Sequence, residues 1–205
     1  MTNEDKLRIY AAYLPYGLKG RTIYNIDDDE LNEDCTLALR DGLNNVVGID
    51  DWLNRRTYPI KPCLYDLSYL TKEIEHEGER FVPMIKLLEL QETNAFSKNP
   101  IIKNANAFNH DKVIDCKSKI FKISPNEMTE HKVRYLVETS NMGTLIYSLT
   151  YDEHFDRFYH YDETRNMVLG VGHQRQMFEK LYEWHFNVFN LPESEYINKA
   201  TLTNK

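Results

Sequence analysis

The most regular hydrophobic pattern in the chain lies towards its C-terminal end. Between Gly172 and Phe189, apolar residues recur every three or four positions, with polar residues between them. This spacing is typical of an amphipathic α-helix that buries one face, and Pro192 closes the segment. The apolar face would consist of Met177, Phe178, Leu181, Trp184, His185, Val188 and Phe189. We therefore predict a long amphipathic C-terminal helix over residues 172–189.

The N-terminal residues predict a helix with a capped start. Thr2 and Asp5 have the spacing of a capping box, and apolar residues follow at helical spacing up to Leu14. Pro15 disfavours helical geometry in the residue before it, so we expect the helix to end near Leu14.

Two more helices are predicted in the middle of the chain. One would place Leu67, Leu70 and Ile74 on its apolar side and end before Gly78. The other has Pro83 in its first turn, where the missing N–H of proline costs no hydrogen bond.

Strand formers and polar-apolar alternation predict extended structure in several segments, namely 16–26, 119–123, 134–138, 144–161 and 195–202. The last of these is expected to be an edge strand. The 144–161 segment is expected to be a hairpin that turns at Asp152 and Glu153. Its length and alternation are a strong signal for strand structure.

The segment from Cys35 to Ile49 is harder to assign. Asp41 and Gly42 are a turn signal for a second hairpin, but the leucines Leu37, Leu39 and Leu43 also fit a helix. Before this segment lies an acidic run, Asp27, Asp28, Asp29, Glu30, Glu33 and Asp34. We expect it in a solvated turn or at a helix N-terminus, where carboxylates oppose the positive end of the dipole.

These elements predict an α+β fold: an antiparallel sheet of short strands packed against a few helices. A chain of 205 residues suits a single compact domain over 1–205. Residues 93–112 are rich in Asn and lack periodicity. We expect a mobile surface loop or a boundary between two lobes in that stretch.

Composition narrows the class of protein. The formal net charge of −7 disfavours non-specific binding to nucleic acid or to anionic membranes. Cys35, Cys63 and Cys116 are too widely spaced for a zinc knuckle or a disulfide framework, and three free thiols fit a reducing compartment. With neither a leader pattern nor a long apolar run, a cytoplasmic protein without membrane attachment is expected.

Three blocks of sequence carry a family resemblance. They are residues 10–19 (YAAYLPYGLK), residues 61–74 and 78–83 (KPCLYDLSYLTKEI and GERFVP), and residues 181–189 (LYEWHFNVF). In this order they resemble small uncharacterised proteins encoded in bacterial prophages and mobile elements. The resemblance implies a phage or prophage origin. It implies no activity, because no catalytic residue is carried over with these blocks.

The densest cluster of chemically versatile side chains is Asp152, Glu153, His154, Asp156, His160, Asp162 and Glu163. Imidazole and carboxylate groups at short range can bind a divalent metal and activate water. The metal ligands would be His154, Asp156 and His160. The alternative is a solvated hairpin face above the rings of Phe155, Tyr159 and Tyr161, because groups spaced along one strand do not converge.

The remaining candidates favour structural roles. His185 is expected to be a core histidine that bonds a backbone carbonyl. Gly170 and Gly172 precede a helix but lack the rest of a phosphate-binding motif, so no cofactor is predicted. The basic residues Lys112, Lys117, Lys119 and Lys122 surround Phe121 and could contact a nucleic-acid backbone.

No catalytic signature is recognised, and the balance favours a protein that is not an enzyme. The 14 tyrosines suit protein interfaces, where rings with a polar tip are common. The leading hypothesis is a phage or prophage accessory protein that binds a protein partner. The alternatives are a metal-dependent hydrolase built on residues 152–163 and a nucleic-acid-associated factor.

Overall fold

The structure is a computed structural model that describes residues 2–26, 29–39, 46–49, 53, 60–97, 108–122, 131–141 and 145–202. Within these ranges the chain forms three α-helices and twelve strands in three sheets. The predicted α+β class is confirmed.

The helices are α1 (Asn3–Ala11), α2 (Pro83–Glu92) and α3 (Gln174–Glu183). The strands are β1 (Lys19–Ile26), β2 (Asp29–Ala38), β3 (Val46–Gly48), β4 (Ile60–Leu64), β5 (Ile74–His76), β6 (Glu79–Phe81), β7 (Val113–Lys122), β8 (His131–Asn141), β9 (Leu145–Asp152), β10 (Arg157–Asp162), β11 (Met167–Gly170) and β12 (Ile197–Asn198).

The chain divides into two compact units. The first unit combines Met1–Leu67 with Glu179–Lys205, and the second unit is Ser68–Phe178. The division therefore falls beside Leu67 and Phe178, and residues 93–112 belong to the second unit. Much of that predicted loop, residues 98–107, lies outside the described residues.

The first unit contains a mixed five-stranded sheet in the order β12-β4-β1-β2-β3. The central strand β1 pairs antiparallel with β2 and β4, whereas β12 and β3 add parallel strands at the two ends. Gly20 lies in β1 opposite Cys35 and Pro62. A Cβ atom there would lie 2.9 Å from Cγ2 of Ile60, so the close packing of the strand requires glycine.

The second unit contains an antiparallel five-stranded sheet in the order β11-β10-β9-β8-β7. Its apolar face buries Tyr135, Val137, Leu149, Tyr151 and Phe158. The ring of Phe178 lies 5.4 Å from that of Phe158, and α2 packs against β8 and β7. The hairpin predicted over 144–161 is confirmed as β9 and β10, with Asp152 at the end of β9.

Two predicted helix starts are confirmed. Thr2 accepts a hydrogen bond from the backbone N–H of Asp5, whose side chain accepts from Thr2 in return, which completes the capping box of α1. Pro83 occupies the first turn of α2. These signals act within one turn of helix, so the local sequence determines them.

The predicted long C-terminal helix is wrong in its length, because α3 ends at Glu183. His185 adopts a left-handed φ of 62°. The backbone after His185 leaves the helix and pairs with Tyr65, the residue that follows β4. The Tyr65 N–H donates to the His185 carbonyl, and the Asn187 N–H donates to the Tyr65 carbonyl, each at 2.8 Å. These bonds replace the helical bonds that the Asn187 N–H and the His185 carbonyl would have made if the helix had continued.

Three other local predictions are also wrong. Residues 67–74 form a 3-10 turn followed by β5 rather than an α-helix. The part of the acidic run from Asp29 to Asp34 lies in β2, while Asp27 and Asp28 lie outside the described residues. Strand β3 pairs parallel with β2, so the two do not form the predicted hairpin, and its turn residues 41–42 lie outside the described residues.

Candidate functional site

The polar face of the second sheet holds a cavity of about 370 Å³, which we call the sheet-face pocket. Alternate residues of β7 to β11 point to this face, opposite the side that packs against α2. Its lining residues are Lys119, Arg134, Leu136, Glu138, Ser148, Thr150, Arg157, Tyr159, Tyr161, Glu163 and Val168. The size is in the range of small-ligand and side-chain pockets.

Three ionic contacts fix the floor of the pocket. Arg134 Nε donates to Asp152 at 2.6 Å, and the Asp152 side chain is only 2% exposed. Glu138, also buried, accepts from Lys117 at 2.7 Å and from Lys119 at 3.4 Å. Hydrogen bonds to Asp115 and Glu138 raise the pKa of Lys117, so these contacts hold its charge in place.

Hydroxyl groups lie between these ionic contacts. Ser148 and Thr150 are buried on β9, and their oxygens are 3.4 Å apart. The register places Thr150 beside Tyr159 and Ser148 beside Tyr161. Each hydroxyl can both donate and accept, so this strip can meet either a donor or an acceptor of a ligand.

Arg157 lies at the rim of the pocket and is held by aromatic rings rather than by an ionic contact. Its guanidinium carbon lies 4.7 Å from the ring centre of Phe155 and 5.7 Å from that of Tyr159. Among the described residues no carboxylate pairs with it. Phe155 is itself 55% exposed. Arg157 is therefore pre-oriented by two aromatic rings while its hydrogen-bond donors remain available.

The three predicted metal ligands occupy separate features. His154 and Asp156 lie in the exposed turn between β9 and β10. His160 lies on the α2 side of β10, where its Nε2 is 2.8 Å from Nε2 of Gln91, and burial lowers its pKa. In the described ranges, no three His, Cys, Asp or Glu side chains are grouped so that they could hold a metal ion.

The expectation about the two faces of β10 is reversed in the structure. Phe158 and Asp162, which flank His160 on its side of the strand, are almost completely buried. Tyr159 and Tyr161 lie on the other side and line the pocket. Residues 153–156 form a turn and β10 begins only at Arg157. The acids and histidines of the cluster therefore do not lie along one continuous strand face.

The other candidates are placed as follows. His185 is 4% exposed and its Nε2 lies 3.0 Å from the carbonyl oxygen of Tyr16, which confirms the expected core histidine. Burial raises the pKa of Cys63 and of Cys116 to about 12, so both thiols stay protonated at neutral pH. Lys117 and Lys119 of the basic patch are engaged by Glu138.

Sequence reasoning missed Arg134, Arg157 and Glu138 as site residues. The sequence does contain a signal for them, which is the alternation of residues along a strand. One face of the sheet is shared by residues 134, 136 and 138 of β8 and residues 157, 159 and 161 of β10. These residues are far apart in sequence and come together only when the three strands β8, β9 and β10 pair.

None of the helices in the described ranges has the length and hydropathy of a membrane span. Comparisons of the chain with protein-family models, with curated proteins and with solved structures found no match.

Proposed function

We propose that this chain is a binding protein and that a protein partner docks on the sheet-face pocket. The observation that carries the proposal is Arg157, held over Phe155 and Tyr159 without a carboxylate partner in the described part of the chain. Arginine and tyrosine are among the residues most enriched where protein interfaces concentrate their binding energy. An acidic side chain of the partner would complete the contact.

The rest of the pocket supports a preformed surface. Arg134 and Glu138 are held by ionic contacts at its floor, so little side-chain freedom is lost on binding. The exposed Val168 adds an apolar contact at the edge strand β11. A surface with an apolar edge, a fixed polar floor and a stacked arginine suits a protein segment that carries both apolar and polar side chains.

Charge favours a protein partner over nucleic acid. The pocket is lined by three cations, Lys119, Arg134 and Arg157, and by two acids, Glu138 and Glu163. A phosphate backbone needs a field of one sign, and here neighbouring carboxylates and the chain's net charge of −7 oppose it. A metal-dependent hydrolase lacks a supporting ligand group among the residues described. A phage or prophage origin stays a prediction from the sequence blocks alone.

The test is quantitative affinity capture with a matched pair of variants. Wild type, Arg157→Gln and Arg80→Gln are immobilised and exposed to extract of the producing cell, and retained proteins are measured by mass spectrometry. Arg80 is an exposed arginine of the second unit that pairs with Glu75 away from the pocket. We expect a partner retained by wild type and Arg80→Gln and reduced about tenfold or more by Arg157→Gln.

Three results would overturn the proposal. The first is an empty partner set, and the second is a partner set that does not differ between Arg157→Gln and wild type. The third is salt-sensitive binding of single-stranded RNA or DNA in a filter assay that Arg157→Gln abolishes, which would assign the same face to nucleic acid.

A further inference from the structure

The second sheet ends at a strand whose outer edge faces solvent. β11 is the last strand in the order β11-β10-β9-β8-β7, and among the described strands it pairs with β10 alone. Val168 is 55% exposed, and Gly170 is also exposed. A strand edge of this kind presents backbone donors and acceptors to which a further strand can pair.

The direction of the backbone groups in β11 follows from its neighbour β10. The Phe158 N–H donates to Oε1 of Gln174 at 3.0 Å, and the Gln174 amide donates to the Phe158 carbonyl. Since β9 occupies the other side of β10, Phe158 directs these groups to the β11 side. The directions alternate along a strand, so the backbone of His160 also points to β11 and bonds its partner Leu169.

The residues on either side of Leu169 therefore turn outward. The N–H and C=O groups of Leu169 point to β10, so those of Val168 and Gly170 point away from it. Over the parts of the chain that the structure covers, these two N–H and two C=O groups have no hydrogen-bond partner. An added strand can bond all of them.

The pocket side of β11 has open space beside this edge. Gly170 lies opposite Tyr159, which lines the sheet-face pocket, and no atom lies within 4 Å of a Cβ built at Gly170. A side chain from an added strand can therefore pass over Gly170 towards Arg157. Two strand spacings separate the added strand from β10, about 10 Å, which extended glutamate and arginine side chains bridge together.

The charges on the pocket side differ in sign at the two ends of β11. Arg157 lies on β10 beyond the level of Gly170, and Glu163 follows β10 beyond the level of Val168. Among the side chains that the structure describes, neither Arg157 nor Glu163 has an ion-pair partner. An antiparallel strand with an acid opposite Gly170 and a cation four residues later would match both charges.

We propose that the protein partner adds an antiparallel strand to the outer edge of β11, through a segment with glutamate, an apolar residue and lysine at alternate positions. The glutamate lies opposite Gly170 and pairs with Arg157. The apolar residue lies beside the exposed Val168, and the lysine pairs with Glu163. The existence of this partner rests on the proposed function, and strand addition states how the partner binds.

The experiment is an NMR titration of the full chain with two blocked peptides, acetyl-TEIVTKT-amide and acetyl-TKIVTET-amide. The peptides have the same composition but exchange the two charges. The first peptide should bind saturably and shift the backbone amides of Val168 and Gly170. The second should bind about tenfold more weakly, because each of its charges meets a like charge. Arg157→Gln should weaken binding of the first peptide about fivefold, and Arg80→Gln should not.

Backbone methylation separates strand addition from charge attraction alone. N-methylation of the valine in the first peptide removes an N–H that points to β11 and places a methyl group between the strands, so it should abolish binding. N-methylation of the preceding isoleucine alters an N–H that points away, so the affinity should stay nearly unchanged. Val168→Pro should weaken binding as well, since proline removes the outward donor of β11 without removing a bond to β10.

Affinity capture with Val168→Pro distinguishes this inference from the proposed function. Loss of the same partner in Val168→Pro and in Arg157→Gln supports strand addition, with thermal melting used to confirm that each variant is folded. A partner that Val168→Pro retains and Arg157→Gln loses would preserve the protein-binding function and overturn strand addition. An empty partner set, with peptide binding at β11 intact, would overturn the proposed function alone.

Four further outcomes would overturn the inference. The first is no saturable shift of the Val168 and Gly170 amides up to about 10 mM of the first peptide. The second is equal affinity for the two peptides, and the third is equal affinity for the two methylated forms. The fourth is a concentration-dependent dimer in sedimentation that Val168→Pro abolishes, which would assign the edge to a second copy of the chain.

Discussion

The hydroxyl of Tyr13 donates a hydrogen bond of 2.6 Å to the backbone carbonyl of Phe186. Tyr13 is completely buried, and its ring meets that of Tyr182 edge to face at 5.4 Å. The bond connects the segment after α1 to the segment after α3, both within the first unit. The same carbonyl also accepts a hydrogen bond from the backbone N–H of Val188 at 2.9 Å, so it has two donors where the backbone has left the helix.

Replacing Tyr13 by Phe should therefore destabilise the protein. The change removes one hydroxyl and leaves the Phe186 carbonyl with the Val188 N–H as its remaining donor, which costs about 1 kcal/mol in the free energy of unfolding. Urea denaturation followed by circular dichroism measures it. Tyr161→Phe is the control, because its hydroxyl bonds Asn166 at an exposed position. Equal losses in the two variants would contradict the buried role of Tyr13.

Gly20→Ala should destabilise the first unit through overpacking. The new Cβ would lie 2.9 Å from Cγ2 of Ile60, a stiff branched side chain. We expect a loss of about 1–3 kcal/mol, measured by thermal unfolding. Gly172→Ala serves as the control, since no atom lies within 4 Å of its added Cβ. A stability of Gly20→Ala equal to wild type would show that Ile60 can move aside.

The two arginine–aspartate pairs at 2.6 Å should differ in their importance for stability. Asp152 is 2% exposed, whereas Asp34, the partner of Arg21, is 67% exposed. Arg134→Gln leaves a buried carboxylate without its cation and should cost about 3 kcal/mol. Arg21→Gln should cost less than about 1 kcal/mol, because water screens that pair. Denaturant midpoints at one pH compare them, and a larger loss in Arg21→Gln would refute the ranking.

Stability should fall on mild acidification because of His160. Burial lowers its pKa below the usual 6.5, although a bond to the backbone of Ser148 acts the other way. Between the folded and unfolded pKa values the unfolded chain binds more protons, so the free energy of unfolding decreases as the pH falls through about 6.5. Below the folded pKa this contribution no longer changes.

The measurement is the denaturant midpoint as a function of pH for wild type and His160→Gln. The variant should show a shallower decline between pH values of about 7 and 5. His154, exposed in the turn before β10, provides the comparison through His154→Gln, which should follow the wild-type curve. Parallel curves for wild type and His160→Gln would exclude His160 as the cause.

The sequence predicted best what is decided within a few residues. The capping box of Thr2 and Asp5, Pro83 in the first turn of α2 and the β9–β10 hairpin all depend on near neighbours. The length of α3 was mispredicted for the opposite reason. Trp184 and Val188 continue the helical spacing, but the hydrogen bonds that redirect the chain come from Tyr65, more than a hundred residues earlier.

The candidate sites show the same contrast between features decided by near neighbours and features decided by residues distant in sequence. The cluster 152–163 was predicted as a metal site because its groups are adjacent in sequence. In β10, however, the side chain of His160 points towards α2 and that of Tyr159 points towards the pocket. The sheet-face pocket joins residues from several strands. Which residues become neighbours in space depends on the order of the strands in the sheet. In this chain the strand order includes two parallel pairings that no turn signal predicts.

The discontinuous make-up of the first unit also sets an order of events during translation. Residues 68–178 leave the ribosome as one uninterrupted stretch and bring every strand of their own sheet with them. The early segment containing β1, β2 and β4 must wait for β12 and for the Phe186 backbone before its contacts are complete. A released chain that ends at residue 178 would therefore expose the unfinished first unit to chaperones and proteases, whereas every strand of the second unit's sheet is present and can pair.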